Sequence, residues 1–414
     1  MILLFLRRFN DIDHSVPIVY KLAKEGYKNI SLLAINPNLD ISNDFRLNFL
    51  KEEFDIKIDY IYKFYKPNII HKISAFMICD LKVFSSRFLS IFLNFLNFKN
   101  YFYNHLFGYQ WSIDMIKAKD VKLFAFDWQK PGKFNTLSLI RAAKKTRIPI
   151  IAVPHGLDFN INKIWSKTAL KKGLKTQDFG ERWKDFEKII VQHEHYKNIV
   201  VSCGVPDQKL EVIGSARFCN EWENIYFNIL PKADPKYLTK DSDKINIVYM
   251  DHSSDFRLNV DEIISTVKSL SEIDYVDLVV KPSTAGKDSM SSKKLYDYAE
   301  VDHTTSSVHL IRWSDIVIGN QSSIMLDALI LNKVLICPQY FEENSTLFRK
   351  RKVSANANNF SEILDIINNV KADSNFLPYN KRDVDSFIID IIYGGKKDRD
   401  VLKDHMKFFL NNIK

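Results

Sequence analysis

The chain has 414 residues, 46% of them apolar, so its length and composition suit two or three domains with sizeable cores. With only 12 Gly and 12 Pro it is neither collagen-like nor disordered. Lys plus Arg number 59 against 50 Asp plus Glu. The net +9 is diffuse, and it suits a surface that meets phosphates or an anionic membrane better than a dedicated nucleic-acid binder.

In chain order, residues 2–6 read as a strand, 16–24 as a helix, 30–35 as a strand, 43–53 as a helix and 56–61 as a strand. A Phe-, Tyr-, Asn- and Lys-rich helical insertion follows at about 69–119. Strands are then expected at 121–126, 150–153, 189–191 and 210–213, with helices at 134–146 and 195–202. The pattern dissolves from 218 to 244, where LPKADPKYLTKDSDK reads as a linker. A second alternation has strands at 247–250, 276–280, 316–318 and 334–337, and helices at 259–271, 290–299, 322–331 and 360–369. Helices 383–392 and 398–412 close the chain. Strands alternating with helices imply parallel sheets. The expected fold is therefore α/β, two doubly wound Rossmann-like domains facing a central cleft. The first spans 1–220, the linker 221–244 and the second domain 245–395, with a C-terminal helix in 396–414.

No G-x-G-x-x-G and no G-x-x-x-x-G-K-[ST] occurs, which removes the signatures of dinucleotide-fingerprint dehydrogenases and P-loop NTPases. Cys79, Cys203, Cys219 and Cys337 lie far apart, the pattern of buried thiols in a reducing compartment. The apolar start is too short for a signal-peptide core, and the greasiest stretch, 88–98, is too short to span a bilayer. A cytoplasmic location is expected.

In doubly wound sheets, ligands sit at the carboxyl ends of strands, so polar residues just after a strand carry the functional argument. After strand 316–318, Asn320, Gln321, Ser322 and Ser323 form a turn into a helix, an arrangement suited to a nucleotide phosphate. Asp327, one turn on, would reach a ribose hydroxyl. The plain alternative is a serine N-cap before a core helix. Lys281, followed by Pro282, Ser283 and Thr284, is a phosphate candidate or an ordinary surface lysine. Asp251 and His252, with Ser253, Ser254, Asp255 and Arg257, form a polar cluster after strand 247–250; a carboxylate there would serve as nucleophile or base, or merely as a turn-former. His155, Gly156 and Asp158 follow strand 150–153, where the acid and imidazole would orient or deprotonate a hydroxyl. His193, Glu194 and His195 read as structural rather than metal-binding. Arg8, Asp11, Asp13 and His14 follow the first strand, with Asp11 and His14 as acceptor-side candidates.

With VPHG, KLEVIGSARF, a VKP turn and GNQSSIMLDAL in place, the chain resembles GT-B glycosyltransferases that build bacterial surface polymers. The resemblance implies a nucleotide held by the second domain through Ser322, Ser323 and Lys281. It resembles CDP-glycerol and CDP-ribitol polymerases in the HG turn and the SS–D–AL helix, although Leu157-Asp158 stands where HGTP would continue and Val280-Lys281-Pro282-Ser283 replaces R-x-H-P. It also resembles retaining β-Kdo transferases, which implies transfer of Kdo from CMP-Kdo through a covalent intermediate on Asp251, with His155 and Asp158 aligning the acceptor. Arg257 and Lys281 would meet the Kdo carboxylate. No metal or cofactor is expected.

The expected partners are a cytidine-linked sugar donor and a glycan or lipid-linked acceptor in capsule, O-antigen or lipopolysaccharide synthesis. Lys63, Lys66, Lys72, Lys82, Arg87 and Lys99 would let the insertion touch a membrane peripherally, or the insertion caps the first domain. Two other classes remain: a sugar-nucleotide 2-epimerase, which needs no acceptor, and a non-catalytic glycan-binding scaffold. No aromatic–basic RNA motif appears.

Overall fold

Residues 2–6 are apolar without interruption, as in a strand covered on both faces. They form β1 (Ile2–Leu6), with all five residues buried. The computed structural model describes residues 1–36, 39–64, 109–128, 136–162, 166–181, 183–253, 256–283, 294–295 and 297–413. Within these, β1 is central to a seven-stranded sheet of order β3-β2-β1-β4-β5-β6-β7. The other strands are β2 (Ile30–Ala34), β3 (Lys57–Tyr60), β4 (Leu123–Asp127), β5 (Ile150–Val153), β6 (Lys188–Val191) and β7 (Leu210–Val212). Every pairing is parallel. Phe5 stacks on Phe126 at 4.4 Å and meets Phe124 edge-on at 5.0 Å, which knits β1 to β4.

The second sheet has order β10-β9-β8-β11-β12. Its strands are β8 (Ile245–Met250), β9 (Val276–Lys281), β10 (Glu300–Val301), β11 (Ile316–Ile318) and β12 (Val334–Ile336), again all parallel. In both sheets the order reverses beside the first strand, between β1 and β4 and between β8 and β11. Connections diverge at such a point, leaving a crevice at the strands' carboxyl ends. The two-domain α/β class expected from the sequence is the one observed.

The division of the chain differs from the expected one. One unit comprises Met1–Gly156, Gln177–Leu230 and Ile391–Lys414; the other comprises Leu157–Thr176 and Pro231–Asp390. Residues 157–176 join the second unit because Phe159 stacks on Phe348 at 4.4 Å and its carbonyl accepts from Leu347 N at 2.8 Å. The C-terminal segment joins the first because Ser215 N donates to Ile392 O at 2.8 Å and His405 Nε2 lies 3.3 Å from Gly214 O.

Local differences have identifiable causes. Helix α1 (Phe9–Lys24) starts well before residue 16, capped at Arg8, whose N–H donates to Asp11 Oδ2 at 2.9 Å. Its first turns bury Asp11, His14 and Ser15, which hides the apolar period. The expected linker begins as a helix, Asn220–Ile229, because Trp222 is wholly buried against Tyr20, with ring centroids 5.6 Å apart. The helix expected over 322–331 is Met325–Ile330. Strand β10 and helix Ser307–Trp313 carry too few residues for periodicity to reveal. Of the 69–119 insertion, 69–108 lies outside the described residues, while Gln110–Ala118 is a helix with Trp111, Ile113, Met115 and Ile116 buried. Half of the expected helix 290–299 also lies outside them. Among the described residues, no helix is long and apolar enough to cross a membrane.

Candidate active site

The carboxyl ends of β1, β4 and β5 bring Arg7, Asp11, Asp127 and His155 together at the first unit's switch point. Asp11 is fixed by its own helix start, where Oδ2 accepts from Arg7 N at 2.7 Å and Arg8 N at 2.9 Å. That leaves Oδ1 facing His155 Nδ1 at 2.5 Å. The same ring nitrogen lies 3.2 Å from Asp127 Oδ2, while the Arg7 guanidinium pairs with Asp127 Oδ1. Asp11 and Asp127 are almost wholly buried, and the His155 side chain keeps 17% exposure.

Burial alone would lower the His155 pKa, but hydrogen bonds and charge from Asp11 and Asp127 raise it to about 9. The two carboxyls diverge. Burial, joined by the Asp127 charge, pushes Asp11 up. Burial also works to raise Asp127, but the His155 hydrogen bond and the Arg7 charge hold it below the ordinary range. Asp127 is thus held toward its ionised form, while burial makes Asp11 the more basic of the two carboxylates.

The ligand atoms of Asp11, Asp127 and His155 lie within 4.8 Å of one another, close enough to converge on a cation. Arg7 pairs with Asp127, and His155 with Asp11.

Behind this cluster, His14 is buried, and burial drives its pKa down to about 3. It is a neutral core histidine rather than an exposed acceptor contact. Asp13 pairs with Arg46 and lies 3.6 Å from Arg217 Nε. His193 accepts from Tyr196 N at 3.2 Å and caps helix Glu194–Ser202, a structural role.

In the second unit, Asp251 closes β8, with its N–H donating to Lys281 O at 2.9 Å and its Oδ1 accepting from His252 N at 2.8 Å. His252 packs edge-on against Phe256 at 4.0 Å, and burial lowers its pKa to about 4. The Lys281 ammonium is buried and donates to Asp302 O at 3.1 Å; burial lowers its pKa, with the Asp302 charge opposing. Asn320 and Gln321 are buried after β11, and Ser322 and Ser323 are half-buried. Asp327 is buried within the following helix rather than solvated. Arg257 has a positive φ of 62° and pairs with Glu343. Asp158, in this same unit, accepts from Asn160 N at 2.9 Å in a local turn. Ser254, Asp255 and Thr284 lie outside the described residues.

Sequence reasoning overlooked Arg7 and Asp127. Asp127 carried a usable signal, since FAFD ends a buried strand on a carboxylate.

No protein-family model matches the chain, and no curated protein matches it. Solved structures do. The UDP-GlcNAc 2-epimerase from Neisseria meningitidis bound to UDP-GlcNAc superposes with a TM-score of 0.55 at 12% identity, covering 99% of each chain. The UDP-N-acetylglucosamine 2-epimerase from Rickettsia bellii gives a TM-score of 0.53 at 11% identity, over 99% of this chain and 95% of that one. Anabaena Alr3699/HepE in complex with UDP-glucose gives 0.57 at 9% identity, over 99% of each. At such identities the likeness establishes the fold, a GT-B-like pair of parallel α/β domains. It also corrects the expected activity. The whole-length matches include 2-epimerases, enzymes that are not glycosyltransferases, and nothing in them supports Kdo or polyol-phosphate transfer. The CMP-Kdo donor and the covalent step on Asp251 belonged to that transfer reaction and are set aside with it.

Proposed function

We propose that the protein is a sugar-nucleotide 2-epimerase, acting on a UDP-linked N-acetylhexosamine. The observation that carries this reading is His155 held between Asp11 and Asp127 at the sheet's switch point. Inverting C2 means taking the C2 proton while the C2–H electron pair expels UDP from C1, which leaves a C1=C2 double bond, and then returning a proton to the other face of C2 as UDP re-adds at C1. That needs one group able to take a proton near neutral pH and one able to give it. Asp11, raised by burial, and protonated His155 are groups of these kinds, and Asp127 with Arg7 keeps the imidazole charged and oriented.

The second unit is assigned to the nucleotide. Lys281 offers a buried ammonium to the diphosphate, and Ser322 and Ser323 offer hydroxyls at a strand–helix turn. Asn320, Gln321 and His252, which follow the neighbouring strands β11 and β8, are further candidates for that role. The neighbours bound to UDP-GlcNAc and UDP-glucose make a uridine nucleotide the natural first candidate. No second substrate and no metal enter the scheme.

The test is incubation with UDP-N-acetylglucosamine alone in deuterated water, followed by proton NMR. The expected outcome is a new C2 epimer, with deuterium at C2 of both sugars. Recovery of unchanged, undeuterated substrate overturns the reading.

A further inference from the structure

Glu342 lies outside every residue so far given a role. It follows the short helical turn Gln339–Phe341, and its carboxylate is fully shielded from solvent. One oxygen accepts from Gln321 Nε2. The other has no hydrogen-bond partner, and its nearest cation, Arg349, stands 3.9 Å away with its own N–H groups donating to Pro338 O at 2.7 Å and Asn344 O at 3.2 Å. A buried carboxylate so weakly compensated is costly to keep, so its geometry demands a reason.

Gln321 supplies one. Its amide nitrogen gives one hydrogen to Glu342 and lies 3.4 Å from Phe256 O. Phe256 O is itself held by Asn344 Nδ2 at 2.8 Å. The nitrogen is thus committed to acceptors, and the carbonyl oxygen, Oε1, is left buried and without a partner; Asn320 Oδ1, one residue before it, is in the same state. Two consecutive residues just after β11 thus each carry a buried acceptor without a partner, a need that a ligand carrying O–H or N–H groups would meet.

We propose that Glu342 is a positioning residue: as an acceptor-only carboxylate it fixes the Gln321 amide so that the carbonyl, not the NH2, is presented to the donor groups of a nucleoside. This rests on the reading of the second unit as the nucleotide holder. A protonated Glu342 carries a donor and releases the amide to turn over, and that state is within reach, because burial pushes the Glu342 carboxyl up to about 7 against the opposing Arg349 charge and Gln321 hydrogen bond. Among the described residues, the titratable or charged groups acting on it are Arg349, the buried Tyr249 phenol and the buried Cys337 thiol. Neighbouring Glu343 is paired with Arg257. Tyr249 and Cys337 both have raised pKa values and remain neutral across the relevant range.

The test is calorimetric titration of the full chain with UDP-N-acetylglucosamine from pH 5.5 to 8.5. The diphosphate diester of this probe has no titrating group in that window. Wild-type affinity is expected to weaken as pH falls through about 7 and to level off about tenfold below its pH 8 value. Glu342→Gln is expected to bind about tenfold more weakly at pH 8 and to lose the slope, while Glu342→Asp keeps it. A Glu342→Gln protein that melts like wild type, binds as tightly and shows the same slope overturns the proposal. So does a flat wild-type profile, which needs no variant to fold. Wild-type protein that binds no uridine nucleotide at any pH overturns the nucleotide reading itself, a result distinct from either.

Discussion

His155 Nδ1 lies 2.5 Å from Asp11 Oδ1, although 144 residues separate them in the chain. Three strands of one parallel sheet end at a common edge, and the residues that follow each strand meet there. Because Asp127 also reaches the same nitrogen, removal of any member changes the charge state of the others.

Asp11→Asn and His155→Gln are each expected to lower epimer formation by about two to four orders of magnitude, the usual worth of a positioned acid or base. Far-UV circular dichroism should stay near wild type for Asp11→Asn, while its melting temperature falls through loss of the pairing with His155. Turnover within a factor of three of wild type for both variants would remove the cluster from the chemistry.

Stability should track His155. Its pKa is raised from 6.5 to about 9, so its contribution is complete below pH 6.5 and disappears as pH rises through 9. The melting temperature of wild-type protein should therefore fall between pH 7 and 9.5. His155→Gln should fall less steeply in thermal scans at matched ionic strength.

The buried Arg7–Asp127 pair behaves differently when halved and when replaced. Asp127→Ala removes the carboxylate paired with the buried Arg7 guanidinium and should cost about 3 kcal/mol, read as a shift in urea denaturation. Arg7→Met combined with Asp127→Leu should cost clearly less, since neither charge then remains.

Lys281→Met should weaken UDP-N-acetylglucosamine binding by about 2 kcal/mol, roughly thirtyfold in Kd, through loss of one charged hydrogen bond. Calorimetry on this variant and on Lys281→Arg separates charge from shape. Unchanged affinity in both would place the phosphates elsewhere.

Gly214 tests the place of the C-terminal segment in the first unit. Its φ is 104°, and a Cβ there would stand 2.3 Å from Ile392 O. Gly214→Ala should destabilise the protein by about 2 kcal/mol or more, through both a forbidden backbone region and the displaced 391–414 segment.

Much of the fold was legible in the sequence because buried parallel strands are unbroken apolar runs: 2–6, 150–153 and 316–318 stand out for that reason alone. The site was legible only in part. Asp11 and His155 were visible as polar residues after strands, whereas Asp127 terminates its strand and Arg7 looked like the flank of an apolar start. The expected linker failed at Trp222, where one wholly buried aromatic decides between coil and helix. The choice of a glycosyltransferase rested on short motifs that chains of one fold share across different reactions.

Local apolar periodicity by itself determined the class of this protein: alternating strands and helices, grouped into two parallel sheets with polar residues at strand ends. Only the tertiary structure decided which of those polar residues act together, because hydrogen bonds and charge act over a few ångströms while their partners are spread along the chain. Asp11, Asp127 and His155 become one titrating unit through strand order, and Gln321 acquires a fixed orientation through Glu342, 21 residues away, because both are packed where water cannot replace the bond.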